Sequence, residues 1–98
     1  MEASVAIQVL PNAKDEDNLI GIVDKVIAYI ASTGLNYQVG AFETSIEGEY
    51  DELMEIVKKC QLVAIEAGAP SVSAYIKIVY KPEGEVLSIE KKTKKHQH

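Results

Sequence analysis

Two apolar stripes at helical spacing, each flanked by stretches that alternate residue by residue, constrain this chain more than any other feature. The first stripe is Leu19, Ile22, Val23, Val26, Ile27 and Ile30; the second is Leu53, Ile56, Val57, Cys60, Val63 and Ala64. Steps of three and four place each set on one face of a helix. Asp15-Glu16-Asp17 stand where the first helix should begin, because carboxylates there accept hydrogen bonds from the free N–H groups of the first turn. Gly34 follows the stripe as a left-handed cap. The second helix reads from about Tyr50 to Ala67, with Gly68 and Pro70 ending it.

Outside these runs the period falls to two. Residues 3–10 alternate, with Val5, Ile7 and Val9 on one side and Ser4, Ala6 and Gln8 on the other, until Pro11-Asn12. Residues 35–39 and 44–49 read as two strands joined at Gly40-Ala41. Residues 71–80 form the cleanest strand, with Val72, Ala74, Ile76 and Ile78 opposed to Ser73, Tyr75, Lys77 and Val79. A turn at Lys81-Pro82-Glu83-Gly84 leads to a short final helix within Val86–Lys95, docked by Leu87 with Ile89 as a second candidate. The order is β-α-β-β-α-β. Two right-handed crossovers then place both long helices on one face of a four-stranded antiparallel sheet, an α+β sandwich of ferredoxin-like topology.

The chain has 98 residues, enough for one domain: a body over 1–90 and a Lys-rich tail over 91–98. No apolar run nears the ~20 residues of a membrane span, and no signal peptide is visible. The single cysteine, Cys60, fits a reducing compartment, so a cytoplasmic protein is expected. Residues 1–90 hold 15 acids against 6 lysines, and there is no arginine anywhere. An acidic body without arginine repels phosphate backbones, so nucleic acid is not an expected partner, and neither is a membrane. Domains of this size are marginal, and association with further copies is a common remedy.

The face away from the helices should carry Ser4, Ala6, Gln8, Asn36, Gln38, Ser45, Glu47, Ser73, Tyr75, Lys77 and Val79. Small and uncharged polar groups suit packing against another copy around a polar pocket; the same composition also suits a plain wet sheet face. Glu47 has three readings: a ligand anchor, an exposed edge residue, or a partner for Lys77. Cys60 lies on an apolar stripe and reads as core. His96 and His98 lie in the tail without the companions a metal site needs, so no metal is expected. No catalytic constellation, phosphate loop or cofactor motif appears. Within this topology, acylphosphatases need an arginine, metal chaperones need Cys-x-x-Cys, and RNA-recognition modules need aromatics on the two central strands; the chain has none of these.

Gly34-Leu35-Asn36-Tyr37-Gln38-Val39 and Phe42 to Leu53 resemble the signature of a small bacterial and archaeal family of thiamine-binding proteins, related to proteins that bind the hydroxymethylpyrimidine precursor. Ala6 to Pro11 and Leu87 to Lys92 match as well, so the resemblance spans nearly the whole chain, most specifically at Thr44–Leu53. Members commonly carry Thr-Pro where this chain has Gly40-Ala41, which implies a differently shaped corner. The resemblance implies dimers and tetramers of one chain, a ligand site where protomers meet, and binding without established chemistry. An acidic protein attracts the thiamine cation. Glu47 would be the polar anchor of the aminopyrimidine; Thr44, Ser45, Gln8 and Asn36 would complete its hydrogen bonds, and Tyr37 or Tyr75 would stack on it. Thr44 and Glu47 are an odd number of residues apart, so a straight strand sends them to opposite faces. A homo-oligomeric scaffold without a ligand, and an enzyme on a thiamine-pathway intermediate, remain as alternatives.

Overall fold

A computed structural model of the chain describes residues 1–96; the expectation that His98 belongs to a solvated tail lies outside the described residues. The elements are β1 (Ala3–Pro11), α1 (Glu16–Ser32), β2 (Tyr37–Val39), β3 (Thr44–Gly48), α2 (Tyr50–Glu66), β4 (Val72–Tyr80) and α3 (Ile89–Thr93), with one 3-10 turn at Lys94–His96. The sheet order is β2-β3-β1-β4, all neighbours antiparallel, which is the expected ferredoxin-like arrangement. No helix among the described residues is long and apolar enough to cross a membrane.

The helix boundaries follow from local chemistry. Asp15 caps α1, its carboxylate accepting from the Asn18 N–H at 2.7 Å. At the far end of α2, Gly68 takes φ +112, and the N–H groups of Gly68 and Ala69 donate to the carbonyls of Ile65 and Ala64. That pair of bonds is a Schellman cap, which favours glycine at its left-handed position. The start of α2 is capped from far away: the Glu2 carboxylate accepts from the Tyr50 N–H at 3.0 Å.

Val5 and Ile7 of β1, Ile46 of β3, Ile22, Val26 and Ile30 of α1, and Leu53, Ile56 and Cys60 of α2 form the core between sheet and helices. Leu19, expected in the α1 stripe, is exposed in the first turn of the helix. Pro11 belongs to β1 rather than ending it. Odd-numbered β1 residues turn their N–H groups away from β4, and β3 does not reach so far, so the missing donor costs no ladder bond.

The final helix begins at Ile89, later than expected, because Ser88 caps it by accepting from the Lys91 N–H. Leu87, the expected docking residue, is 60% exposed; Val86 and Ile89 are the buried ones. This segment crosses to the sheet face that α1 and α2 leave open, so that face is partly covered by the chain's own C-terminal end.

Cys60 is fully buried, and desolvation pushes its thiol from the ordinary 9.0 up to about 11. Burial, helped by Cys60 and Glu55, also raises the Tyr29 phenol. A thiol whose native pKa lies above its unfolded value stabilises the fold fully below the unfolded pKa, and that contribution disappears as pH rises through the native one. Stability is therefore expected to fall between about pH 9 and pH 11. Cys60→Ala should remove the Cys60 share of that fall while costing ~1–2 kcal/mol at neutral pH, as a small core truncation does. Denaturant titrations of both proteins across this range check it.

Candidate functional site

The register divides the expected ligand residues by face. Ser4 pairs with Glu47 and Val79, Ala6 with Ser45 and Lys77, and Gln8 with Tyr75. Paired residues share a face, so Gln8, Ser45, Glu47 and Tyr75 stand together on the open side, where Asn36 reaches Glu47. Tyr37 pairs with Ile46, and Thr44 with Ile7, on the helix side. No bulge interrupts β3, so Thr44 and Glu47 diverge as their odd spacing requires.

Glu47 is 8% exposed although it lies on the open face. Its Oε1 accepts from the Asn36 side-chain amide at 2.7 Å, and its Oε2 accepts from the Ile89 backbone N–H at 2.8 Å. The carboxylate thus receives a free N–H at the start of α3 and holds that helix on the sheet. Lys77, one of its possible partners, instead pairs with Glu43 at 2.9 Å.

Two hollows adjoin these residues. The smaller, about 110 Å³, lies on the helix side under the Gly40–Thr44 corner and is lined by Val23, Val26, Ile27, Phe42 and Thr44 among others. Thr44, 7% exposed, makes no side-chain hydrogen bond among the described residues. The corner itself is tight: the Gly40 N–H donates to the Glu43 carbonyl at 2.9 Å, and a Cβ at Gly40 would sit 2.9 Å from that same oxygen. A side chain at Gly40 would force this turn open.

The second hollow, about 340 Å³, lies on the open face, lined by Ser4, Ala6, Glu43, Ser45, Lys77, Val79 and Lys92 among others. Its size falls in the range of small-ligand sites. Ser4 is 7% exposed and lines this hollow; among the described residues no side-chain nitrogen or oxygen is both buried and without a hydrogen-bond partner. Lys92 hangs over this hollow from α3, whose position Glu47 fixes. Lys92 and Ser4 were not among the residues expected to bind. Ser4 was read only as part of the open face, and Lys92 as a solvated helix end; no local signal in the sequence separates Lys92 from its neighbours.

Of the seven expected residues, Ser45 lines the larger hollow, and Thr44 and Gln8 the smaller. Glu47 and Asn36 brace α3, and neither Tyr37 nor Tyr75 lines either space. Among the described residues, no group of three or more His, Cys, Asp or Glu side chains assembles as a metal site.

The fold recurs in known proteins. The UPF0045 protein CPE1503 of Clostridium perfringens is 48% identical over 84 residues, covering 86% of this chain and 87% of that one. The structure of a domain of unknown function from Bacillus cereus, DUF77, superposes with a TM-score of 0.88 at 38% identity, covering 99% of this chain and 91% of the other. A Thermotoga maritima crystal structure, TM0486, a candidate thiamine biosynthesis/salvage protein, superposes with a TM-score of 0.84 at 33% identity, covering 99% of this chain and all of that one. A family model described as thiamine-binding protein matches residues 5–97, a span that takes in β1 from Val5 onward and every later element, and this chain belongs to that family.

Proposed function

We propose that this protein binds thiamine or its hydroxymethylpyrimidine precursor, without chemistry, in the open-face hollow at a junction between two copies of the chain. The observation that carries this reading is a ligand-sized hollow on the open face whose lining brings together Ser4, Ser45, Glu43 and Lys92. Family membership supports the ligand class, and so does the candidate thiamine role of the Thermotoga maritima relative. Ser4 and Ser45 would meet the aminopyrimidine, which both donates and accepts hydrogen bonds. Glu43 would face the cationic ring. Glu47 and Asn36 would act at one remove, by holding α3 as a wall.

The junction is supported by β4. This nine-residue strand has β1 on one side and, among the described residues, no strand on the other, and Tyr75, Ile78, Val79 and Tyr80 along it are exposed. Long apolar edges attract further strands. Lys77, Ile78 and Val79 also line the hollow, so a copy paired to β4 would extend its wall.

Calorimetric titration with thiamine and with hydroxymethylpyrimidine tests the reading, together with mass analysis of the recovered ligand. Saturable heat and unaltered ligand are expected. The same unpaired edge favours a ligand-free scaffold as second reading; it would be supported by stable dimers that give no heat with either compound.

A further inference from the structure

We infer that the open-face hollow is built for a phosphate monoester, so that the phosphorylated form of the ligand binds in preference to the free alcohol. This rests on the proposed function and narrows it. The body of the protein is strongly acidic, with 15 acids against 6 lysines over residues 1–90. The hollow inverts that balance, with Lys77 and Lys92 against Glu43 alone. Lys77 is tied to Glu43 at 2.9 Å, whereas Lys92 makes no ion pair among the described residues. The lining thus brings one lysine without an ion pair among the described residues together with Ser4 and Ser45. A free cationic thiamine would meet that ammonium as a like charge.

A phosphate monoester carries about −1.5 to −2 charges near neutral pH and three strong acceptor oxygens. Those oxygens match an ammonium and two hydroxyl donors. Glu43, at the other pole, suits the cationic ring of a thiamine monophosphate. The hollow thus presents both signs to a ligand that carries both. Its phosphate donors are lysine and serine, which explains how the site works in a chain without arginine. Glu47 enters as a positioning residue: by fixing Ile89 it fixes the helix that carries Lys92.

The test is a set of calorimetric titrations with thiamine, thiamine monophosphate, hydroxymethylpyrimidine and its phosphate, with inorganic phosphate as a probe of the anion site alone. Each phosphate ester is expected to bind at least tenfold tighter than its alcohol. Lys92→Gln should reduce that ratio to below threefold, while Lys25→Gln, on α1 across the sheet, should leave it unchanged. Inorganic phosphate should compete with the esters. Equal or tighter binding of the free alcohols, or a ratio insensitive to Lys92→Gln, overturns the inference and leaves the proposed function standing. Absence of binding by all four compounds overturns both.

Discussion

Glu47→Ala is expected to release α3 from the sheet and to lower stability by roughly 2–3 kcal/mol, the cost of stranding a buried N–H that had a charged acceptor. The Ile89 N–H would lose the acceptor it has among the described residues, at a residue that is itself buried. The Asn36 amide is partly exposed and can turn to water, so most of the loss falls at Ile89. Two readouts report it. The urea midpoint should drop at unchanged slope, and trypsin should cut faster within Lys91–Lys95, because docking is what protects that stretch. Glu47→Gln should recover most of both. Its carbonyl still serves Ile89, and Asn36 can flip to offer an oxygen to the new amide. The same pair of variants separates two roles for the side chain. A direct ligand anchor would lose tenfold to more than a hundredfold in thiamine affinity on conversion to glutamine. A brace loses far less on that change and much more on conversion to alanine. Equal stability and equal tryptic rates for Glu47→Ala and the native chain would reject the brace.

The fold was legible because its signals are local. The alternation over 3–10 and 71–80 and the stripes over 19–30 and 53–64 follow from period alone, and Gly34, Gly68 and Asp15 punctuate them within a few residues. The parity of Thr44 and Glu47 was equally legible, since it needs only a strand without a bulge. What stayed hidden is long-range. Glu2 caps a helix that begins 48 residues later, and Glu47 caps one 42 residues on; no window of sequence contains both partners. The docking of α3 fell to Ile89 rather than Leu87 because a buried carboxylate, not apolarity, decides which residue faces the sheet. Lys92 was indistinguishable from Lys91 and Lys94 until that docking turned it toward the hollow. Ser4 looked like any small open-face residue. Only its place in the lining of the hollow sets it apart, and that belongs to the assembled sheet.

If two copies pair along β4 as proposed, Ile76→Pro is expected to leave monomers that keep their fold. The argument rests on which way the backbone of β4 points. The Lys81 N–H donates to the Glu2 carbonyl at 2.7 Å, and the Ser71 carbonyl accepts from the Asn12 N–H at 2.9 Å, both across the β1–β4 pairing. Backbone groups of alternate residues point to alternate sides of a strand. The unbroken register from Val72 to Tyr80 therefore gives odd-numbered residues to β1 and turns the N–H and C=O groups of Val72, Ala74, Ile76, Ile78 and Tyr80 outward. Proline at 76 deletes an outward donor and no ladder bond to β1, and Tyr75 before it is already extended, as a residue preceding proline prefers. A second copy docked along this edge would lose that bond and meet the ring. In a two-fold pair both strands suffer, so at least about 3 kcal/mol is expected, a hundredfold or more in the dissociation constant. Tyr75→Pro is the matched contrast, since it deletes an inward donor and should damage the protomer itself. Sedimentation and urea unfolding on the two variants distinguish these effects. An Ile76→Pro protein that assembles as the native chain does would exclude β4 from the interface, and the ligand site would then have to be completed elsewhere on the open face.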